Sequence, residues 1–295
     1  MPESTAPLGL LSVVIASMTL LLGVQLQVAH LRAVLTRPRG LLIGLAGQFL
    51  FLPLLAILLF YAYPAPPSLK AGWFIIAAVP GGAMSNTVTF VGRGTLSLSM
   101  VLTGCSTLAG IVTIPLWTSL GLRLAGGEGS TTGLPVAAVL LGSFAFLIVP
   151  LTVGIAVAAW RPSLAGRLHG PTRRVMLAMV LFSMAAYVSQ RWEFIVRDFD
   201  IGVVFGAAVF NIVAVLGGWN LAGVFGLDMR DRFTIGIEVG FQNLVVAMLV
   251  AELLGRSDLL PFIGSHGLTM LVLLVPLLAV LARAATRVPA SDRAS

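Results

Sequence analysis

A chain of 295 residues in which 58% are hydrophobic and only 10% charged, with a mean hydropathy of +1.02, lies far from a soluble domain, whose charged share is roughly 25%. That balance excludes soluble domains strung on polar linkers and reads as a polytopic membrane protein. The net charge of +7 is resolved by topology below, and a single cysteine, Cys105, excludes an intramolecular disulfide and a multi-cysteine metal site.

The opening Met1-Pro2-Glu3-Ser4-Thr5 lacks the basic stretch of a signal peptide, and the apolar run after it is long enough to span, so the first segment is expected to be retained. A span needs about 20 largely apolar residues. Nine such runs predict an all-α protein with transmembrane helices at roughly 8–29, 40–63, 71–92, 96–122, 134–160, 174–192, 201–226, 232–253 and 261–283. In the second, Gln48 between Gly47 and Phe49 is a lone amide, serving either an interhelical hydrogen bond or an ion. The third is interrupted by Val79-Pro80-Gly81-Gly82-Ala83-Met84-Ser85-Asn86. Pro80 stops the first half-helix. Ser85 or Asn86 is expected to cap the second, whose free N–H groups carry partial positive charge at membrane depth. In the fourth, Ser99, Thr103 and Ser106 share one helical face, which suits either helix packing or ion ligation. The sixth is the least hydrophobic. In the seventh, Asn211 has the same two readings as Gln48. The eighth is interrupted by Ile237-Glu238-Val239-Gly240-Phe241-Gln242-Asn243, and His266 opens the ninth.

Backbone unwinds in lipid only where protein or a cavity satisfies its polar groups. A pair of broken helices marks the substrate and ion site of a secondary transporter; one break alone also fits a kinked packing helix. The two broken spans lie five apart and so run in opposite directions. This is the pattern of an inverted repeat, about 8–125 and about 134–284, with one helix missing from the first half. With the N-terminus outside and the C-terminus in the cytoplasm, 13 basic residues fall inside and 5 outside, whereas 7 acidic residues fall outside and 3 inside. Together with Glu238 in the membrane these account for the whole net charge, so nucleic-acid binding is not expected.

Glu238 is the most informative residue, because an acid at a helix centre costs about 2.5–3.5 kcal/mol on insertion scales and is functional by default. The bland reading is a protonated carboxyl bonded to a neighbouring helix. Gln48, Ser85, Asn86, Ser99, Thr103, Glu238 and Gln242 offer carboxylate, amide and hydroxyl oxygens without a nitrogen or sulfur cluster, which suits sodium over zinc, copper or iron. His30 and His169 are expected in cytoplasmic loops, and His266 as a packing or vestibule residue.

The run Pro80-Gly81-Gly82-Ala83-Met84-Ser85-Asn86, followed by Arg93-Gly94 and Leu98-Ser99, resembles the Pro-Gly-Gly, Ser-Asn, Arg/Lys-Gly and Leu-Ser signature of the bile acid:sodium symporter family. Glu238-Val239-Gly240-Phe241-Gln242-Asn243 resembles its Glu-x-Gly-x-Gln-Asn, and the likeness runs from about residue 10 to 283. The resemblance implies a nine-helix form. A core domain (spans within 40–122 and 201–283) would hold two discontinuous crossing helices beside a panel domain (spans within 8–29 and 134–192). It implies two sodium sites: Ser85, Asn86, Ser99, Thr103 and Glu238 match one, and Gln48, Glu238, Gln242 and carbonyls near Val239 and Phe241 match the other. Two sodium ions against one carboxylate leave +1, so an organic anion, bile-acid-like, pantoate-like or another carboxylate or sulfonate, is the expected substrate. Ala83, Met84, Asn243, Asn211 and His266 are its candidate contacts. Ala83 stands where a threonine is common, and Gly267 follows His266 where the family has Asn; both changes remove polar groups from the expected substrate route.

The expectation is therefore a sodium-coupled symporter of an organic anion, resident in lipid, in a bacterial inner membrane, with no obligatory protein partner. The alternatives are a proton-coupled or uncoupled carrier and, from another class, a non-transporting sensor or an intramembrane enzyme. No His-Glu-x-x-His, Gly-x-Ser-x-Gly or intramembrane carboxylate pair supports an enzyme.

Overall fold

The computed structural model describes residues 6–26, 28–36, 38–65, 67–126, 136–190 and 200–286. They form helices joined by short connections: α1 (Ala6–Gln25), α2 (Val28–Leu35), α3 (Arg39–Ala62), α4 (Pro67–Ala78), α5 (Ala83–Val91), α6 (Leu96–Leu124), α7 (Ala137–Trp160), α8 (Pro162–Gln190), α9 (Ile201–Val224), α10 (Met229–Gly240), α11 (Leu244–Leu253) and α12 (Leu260–Thr286). Among the described residues α3, α6, α7 and α9 are each long and apolar enough to cross a bilayer. This is an integral membrane protein. The other expected spans map onto α1, the pair α4 and α5, α8, the pair α10 and α11, and α12. Arg37, the ends of the fifth and sixth expected spans (134–135 and 191–192), and the charges within 1–5, 127–135, 191–199 and 287–295 lie outside the described residues.

Proline shapes two of the long helices in the same way. A proline ring clashes with the carbonyl four residues back and lacks the N–H to bond it. In α3 a π-helical turn over Gly47–Phe51 precedes Pro53, and in α7 one over Phe144–Ile148 precedes Pro150. The widened turn absorbs the mismatch without ending the helix. In α3 it carries Gln48.

One expectation is corrected here. His30 and His169 lie in helices, in α2 and in the first turns of α8, not in loops. Pro162 at the first helical position starts α8 a dozen residues before the predicted span, because its fixed φ suits a helix start and its missing N–H costs nothing there.

Small residues set the packing. Gly23 of α1 and Gly154 of α7 sit back to back: a Cβ on either would lie 2.9 Å from the other's Cα. Gly218 of α9 faces Gly236 of α10, where a Cβ would meet the Ile235 carbonyl at 3.0 Å. So α1 runs along α7 and α8, α9 runs along α10 and α12, and α4 runs along α6. Trp73, Phe74, Phe210 and Phe262 are fully buried: Trp73 of α4 packs against Phe262 of α12, and Phe74 of α4 lies against Phe60 of α3 and Gly121 of α6.

Candidate functional site

The first break begins where α4 ends at Ala78, ahead of Pro80. Gly81 then pairs antiparallel with Gln242 of the second break, and the Asn243 N–H donates to the Pro80 carbonyl at 2.9 Å. The breaks thus satisfy each other's backbone, as burial away from water requires. The carboxylate of Glu238 lies against this bridge: a Cβ on Gly81 would stand 2.5 Å from its Oε2.

The capping expectation for the second half-helix is corrected. Gly82, with extended backbone, is the N-cap of α5, and Ser85 stands at the third helical position. The Gly82 N–H donates to Ser85 Oγ at 3.3 Å, and the Ser85 hydroxyl donates to the Gly82 carbonyl at 2.8 Å. Asn86 Nδ2 bonds that same carbonyl at 3.3 Å, which turns Asn86 Oδ1 toward α6. Space explains the choice of glycine, since a Cβ at Gly82 would press on Asn243 at 3.3 Å.

The second break uses side chains. Asn243 caps α11, its Oδ1 accepting from the Val246 N–H at 3.3 Å. Gln242 folds back, so that its Nε2 meets three oxygens: Val239 O at 2.8 Å, Glu238 O at 3.2 Å and Gln48 Oε1 at 3.2 Å. Gln48 in turn donates to Gln242 Oε1 at 3.0 Å and to the Val79 carbonyl at 2.9 Å. One amide pair therefore ties α3 to both breaks.

From α6, Thr103 Oγ1 reaches Glu238 Oε2 at 3.0 Å and Oε1 at 3.3 Å. Ser99 Oγ contacts Glu238 Oε1 and, at 2.8 Å, Asn86 Oδ1. A hydroxyl has one proton, so Ser99 donates to one of these acceptors and meets the other oxygen-to-oxygen. The cluster is short of positive charge. Glu238 is only 4% exposed, and Ser85, Ser99 and Thr103 are fully buried. Among the described residues no three His, Cys, Asp or Glu side chains gather. The donors are oxygens, the chemistry of a hard monovalent or divalent cation.

The structure thus brings Gln48, Ser85, Asn86, Ser99, Thr103, Glu238, Val239 and Gln242 together, with Phe241 buried in the break beside them. It also brings Ala83, Met84 and Asn243 to two adjoining small cavities beside the crossing. It does not bring Asn211 or His266 to either cavity. Asn211 Nδ2 donates to the His266 carbonyl at 3.0 Å and to Thr269 Oγ1 at 2.5 Å, and the His266 ring packs against Phe210 and Phe262. Asn211 takes the interhelical hydrogen bond.

Two features escaped the sequence. The far wall of the cavities is α1, α7 and α8, through Met18, Leu147 and Met176, apolar positions with no polar signal. On the side of the Arg93 turn, Thr95 Oγ1 donates to Asp231 at 2.6 Å, the Thr95 N–H to Thr234 Oγ1 at 2.8 Å, and Arg230 to the Arg93 carbonyl at 3.1 Å. The i, i+4, i+8 row Thr95, Ser99, Thr103 could have suggested it.

The sequence of this chain is similar to those of known proteins. The model of the Sodium Bile acid symporter family matches residues 12–198. The human P3 protein is 27% identical over 232 residues, which is 78% of this chain and 48% of the human protein. The Arabidopsis thaliana "Probable sodium/metabolite cotransporter BASS1, chloroplastic" is 26% identical over 230 residues, 78% of this chain and 56% of that one. The Oryza sativa subsp. japonica BASS2 protein of the same description is 25% identical over 243 residues, 82% and 56%. The chain spans about half the length of these curated relatives.

Proposed function

The chain belongs to the sodium bile acid symporter family, and we propose that it is a sodium-coupled symporter of an organic anion. The observation that carries this reading is the charge-poor oxygen set at the crossing. Glu238 is buried with Ser99 and Thr103 bonded to it, and Ser99 faces two acceptors with one proton. A sodium ion among Ser85, Asn86, Ser99, Thr103 and Glu238 supplies the missing positive charge with ligands it prefers. A second ion fits where three oxygens converge on Gln242 Nε2. Turning that amide over puts its own Oε1 beside Val239 O and Gln48 Oε1, with Phe241 on the adjoining backbone.

Two bound cations against one carboxylate leave a net positive crossing, and the first turns of α5 and α11 add free N–H groups beside the cavities. An anion seated there by Ala83, Met84 and Asn243 is held between the broken helices on one side and α1 with α8 on the other. Alternating access then moves α3–α6 and α9–α12 as a core against a panel of α1, α7 and α8. The nine-span inverted repeat, with the N-terminus outside a bacterial inner membrane, is the frame for that motion. Asn211 and His266 serve inside the core.

A proton on Glu238 would meet the same shortage, so a proton-coupled carrier is the second reading. Thermal unfolding of the purified protein in sodium versus potassium chloride separates the two. A bound ion stabilises by RT ln(1 + [L]/Kd), about 2.7 kcal/mol at a hundredfold excess over Kd. We expect a sodium-specific rise in the midpoint that Glu238→Ala abolishes. A midpoint that ignores sodium and follows pH would replace this reading with the proton-coupled one.

A further inference from the structure

The end of the molecule that carries the Arg93 turn holds a cation that the crossing does not use. Arg232 of α10 lays its guanidinium over the Trp219 ring of α9, with Cζ 5.2 Å from the ring centroid. Gly223, one turn on from Trp219, makes room for it: a Cβ there would stand 2.8 Å from Arg232 Cζ. The fork itself is unspent. Among the described residues no acceptor bonds it and no carboxylate pairs with it, and its Nε is buried without a partner. The neighbouring acids are engaged elsewhere. Asp231 accepts from the Thr95 hydroxyl, and Asp228, one turn before Arg232, accepts from the Asp231 N–H as the cap of α10. A guanidinium keeps its charge and carries five donors, so this one is completed by an acceptor from outside the chain.

The surroundings say which acceptor. Leu216, Trp219, Asn220 and Gly223 fall at i, i+3, i+4 and i+7 and share one face of α9. Leu216, and Ile212 one turn further in, are exposed apolar side chains on a helix long enough to cross the bilayer; Val224 at its end and Phe225 just after it are exposed as well. The fork therefore stands at the polar end of a lipid-facing stripe, where an arginine reaches the phosphate layer. The charge here is basic: Arg39, Arg93, Arg230 and Arg232 gather at this end with Asp228 and Asp231. Arg230 bonds the Arg93 carbonyl at 3.1 Å, and a Cβ on Gly40, beside Arg39, would lie 3.5 Å from Asp231 Oδ2. A guanidinium meets a phosphate through two parallel hydrogen bonds, and a basic surplus favours a net-negative headgroup over a zwitterionic one. We propose that α9 and α10 form a binding site for an anionic phospholipid. Its phosphodiester is held by Arg232 beside Trp219, and its acyl chains lie along Leu216 and Ile212. The site is separate from the crossing and does not depend on the symporter reading.

The test is thermal unfolding of the purified full chain in detergent and potassium chloride, titrated with dioleoyl phosphatidylglycerol, dioleoyl phosphatidylcholine or inorganic phosphate. Phosphatidylglycerol raises the midpoint saturably, at a mole fraction about fivefold or more below that of phosphatidylcholine, the preference expected of one basic residue at a membrane surface. Inorganic phosphate leaves the midpoint unmoved. Arg232→Gln removes the preference, whereas Arg39→Gln, which changes an exposed arginine of the same end, keeps the larger part of it. Should Arg232→Gln fail to fold, quenching decides: phosphatidylglycerol brominated on its acyl chains quenches a saturable part of the tryptophan fluorescence that Trp219→Phe lacks. Equal responses to the two lipids, a preference that survives Arg232→Gln, or a saturable quench that persists in Trp219→Phe overturns the site. An equal rise with inorganic phosphate gives the fork to a free anion and overturns the lipid. A midpoint that follows protein concentration and shows no lipid preference gives this face to a second copy of the chain, and overturns it equally.

Discussion

The two interrupted helices solve one problem with opposite resources. At the first break the chain withdraws its side chains: Gly81 and Gly82 leave room for the Glu238 carboxylate and for Asn243, and Ser85 reaches back to the backbone it left bare. At the second break the chain adds side chains: Gln242 folds onto Val239 and Glu238 and clasps Gln48, and Asn243 caps the next helix. One break supplies space and the other supplies bonds. A carboxylate at membrane depth needs both, because it must be approached closely and its surroundings must stay satisfied.

The largest effect should come from filling the space. A methyl group at Gly81 would stand 2.5 Å from Glu238 Oε2, so the carboxylate would have to shift from its place against Ser99 and Thr103. Gly81→Ala is expected to abolish the sodium-specific rise in the unfolding midpoint, with an overpacking cost of about 1–3 kcal/mol in potassium. If the sodium response survived in Gly81→Ala, space at the first break would not be what the site depends on.

Next comes removing bonds from the second break. Gln242→Leu leaves Val239 O and Gln48 without their partner, and each orphaned buried group costs about 1–3 kcal/mol. The effect of Gln48→Leu on top should be smaller than on its own, because the pair is already broken. A double-mutant cycle in potassium chloride measures this. Additive losses would mean that the two amides act separately.

How much of this was legible beforehand follows from the same contrast. Residues that break an apolar pattern are visible in sequence, so the breaks, Glu238, and the ring Ser85, Asn86, Ser99, Thr103, Gln48 and Gln242 were all in view. Which residue caps α5 was not, because Ser85 bonds equally well as a cap or from the third helical turn position; only the space beside Asn243 selects Gly82. Asn211 and His266 were polar in apolar helices and so looked like site residues; in the structure Asn211 Nδ2 bonds the backbone carbonyl of His266, whose ring packs against Phe210 and Phe262 away from the two cavities. The cavity wall of Met18 and Met176 gave no sign, since an apolar residue facing a cavity has the same sequence as one facing lipid.

A smaller effect is expected at the Asn243 cap. Losing an N-cap side chain costs about 1 kcal/mol. Asn243→Ala should lower stability by that amount, and Asn243→Ser, a neutral N-cap, should restore it through a hydrogen bond to the same Val246 N–H. A failure of Asn243→Ser to rescue would mean that the Asn243 Nδ2 beside Gly82, not the cap, is what matters.

The smallest effect separates the crossing from the latch on the side of the Arg93 turn. Helices α6 and α10 meet twice along matching faces, at Ser99 and Thr103 with Glu238 and again at Thr95 with Asp231. The upper rung is buried and short of positive charge; the lower rung is half-buried and complete, with the Thr95 proton on Asp231 and the Asp231 N–H on Asp228. A complete rung has no place for an ion and works only as a fastener. Thr95→Val, similar in shape, should therefore cost about 1 kcal/mol of stability in either salt. The sodium concentration at half-maximal stabilisation should stay where it is in wild type. A rise in that concentration without a change in potassium would show instead that the lower rung sets the position of Ser99, and that the two meetings of α6 and α10 form one site.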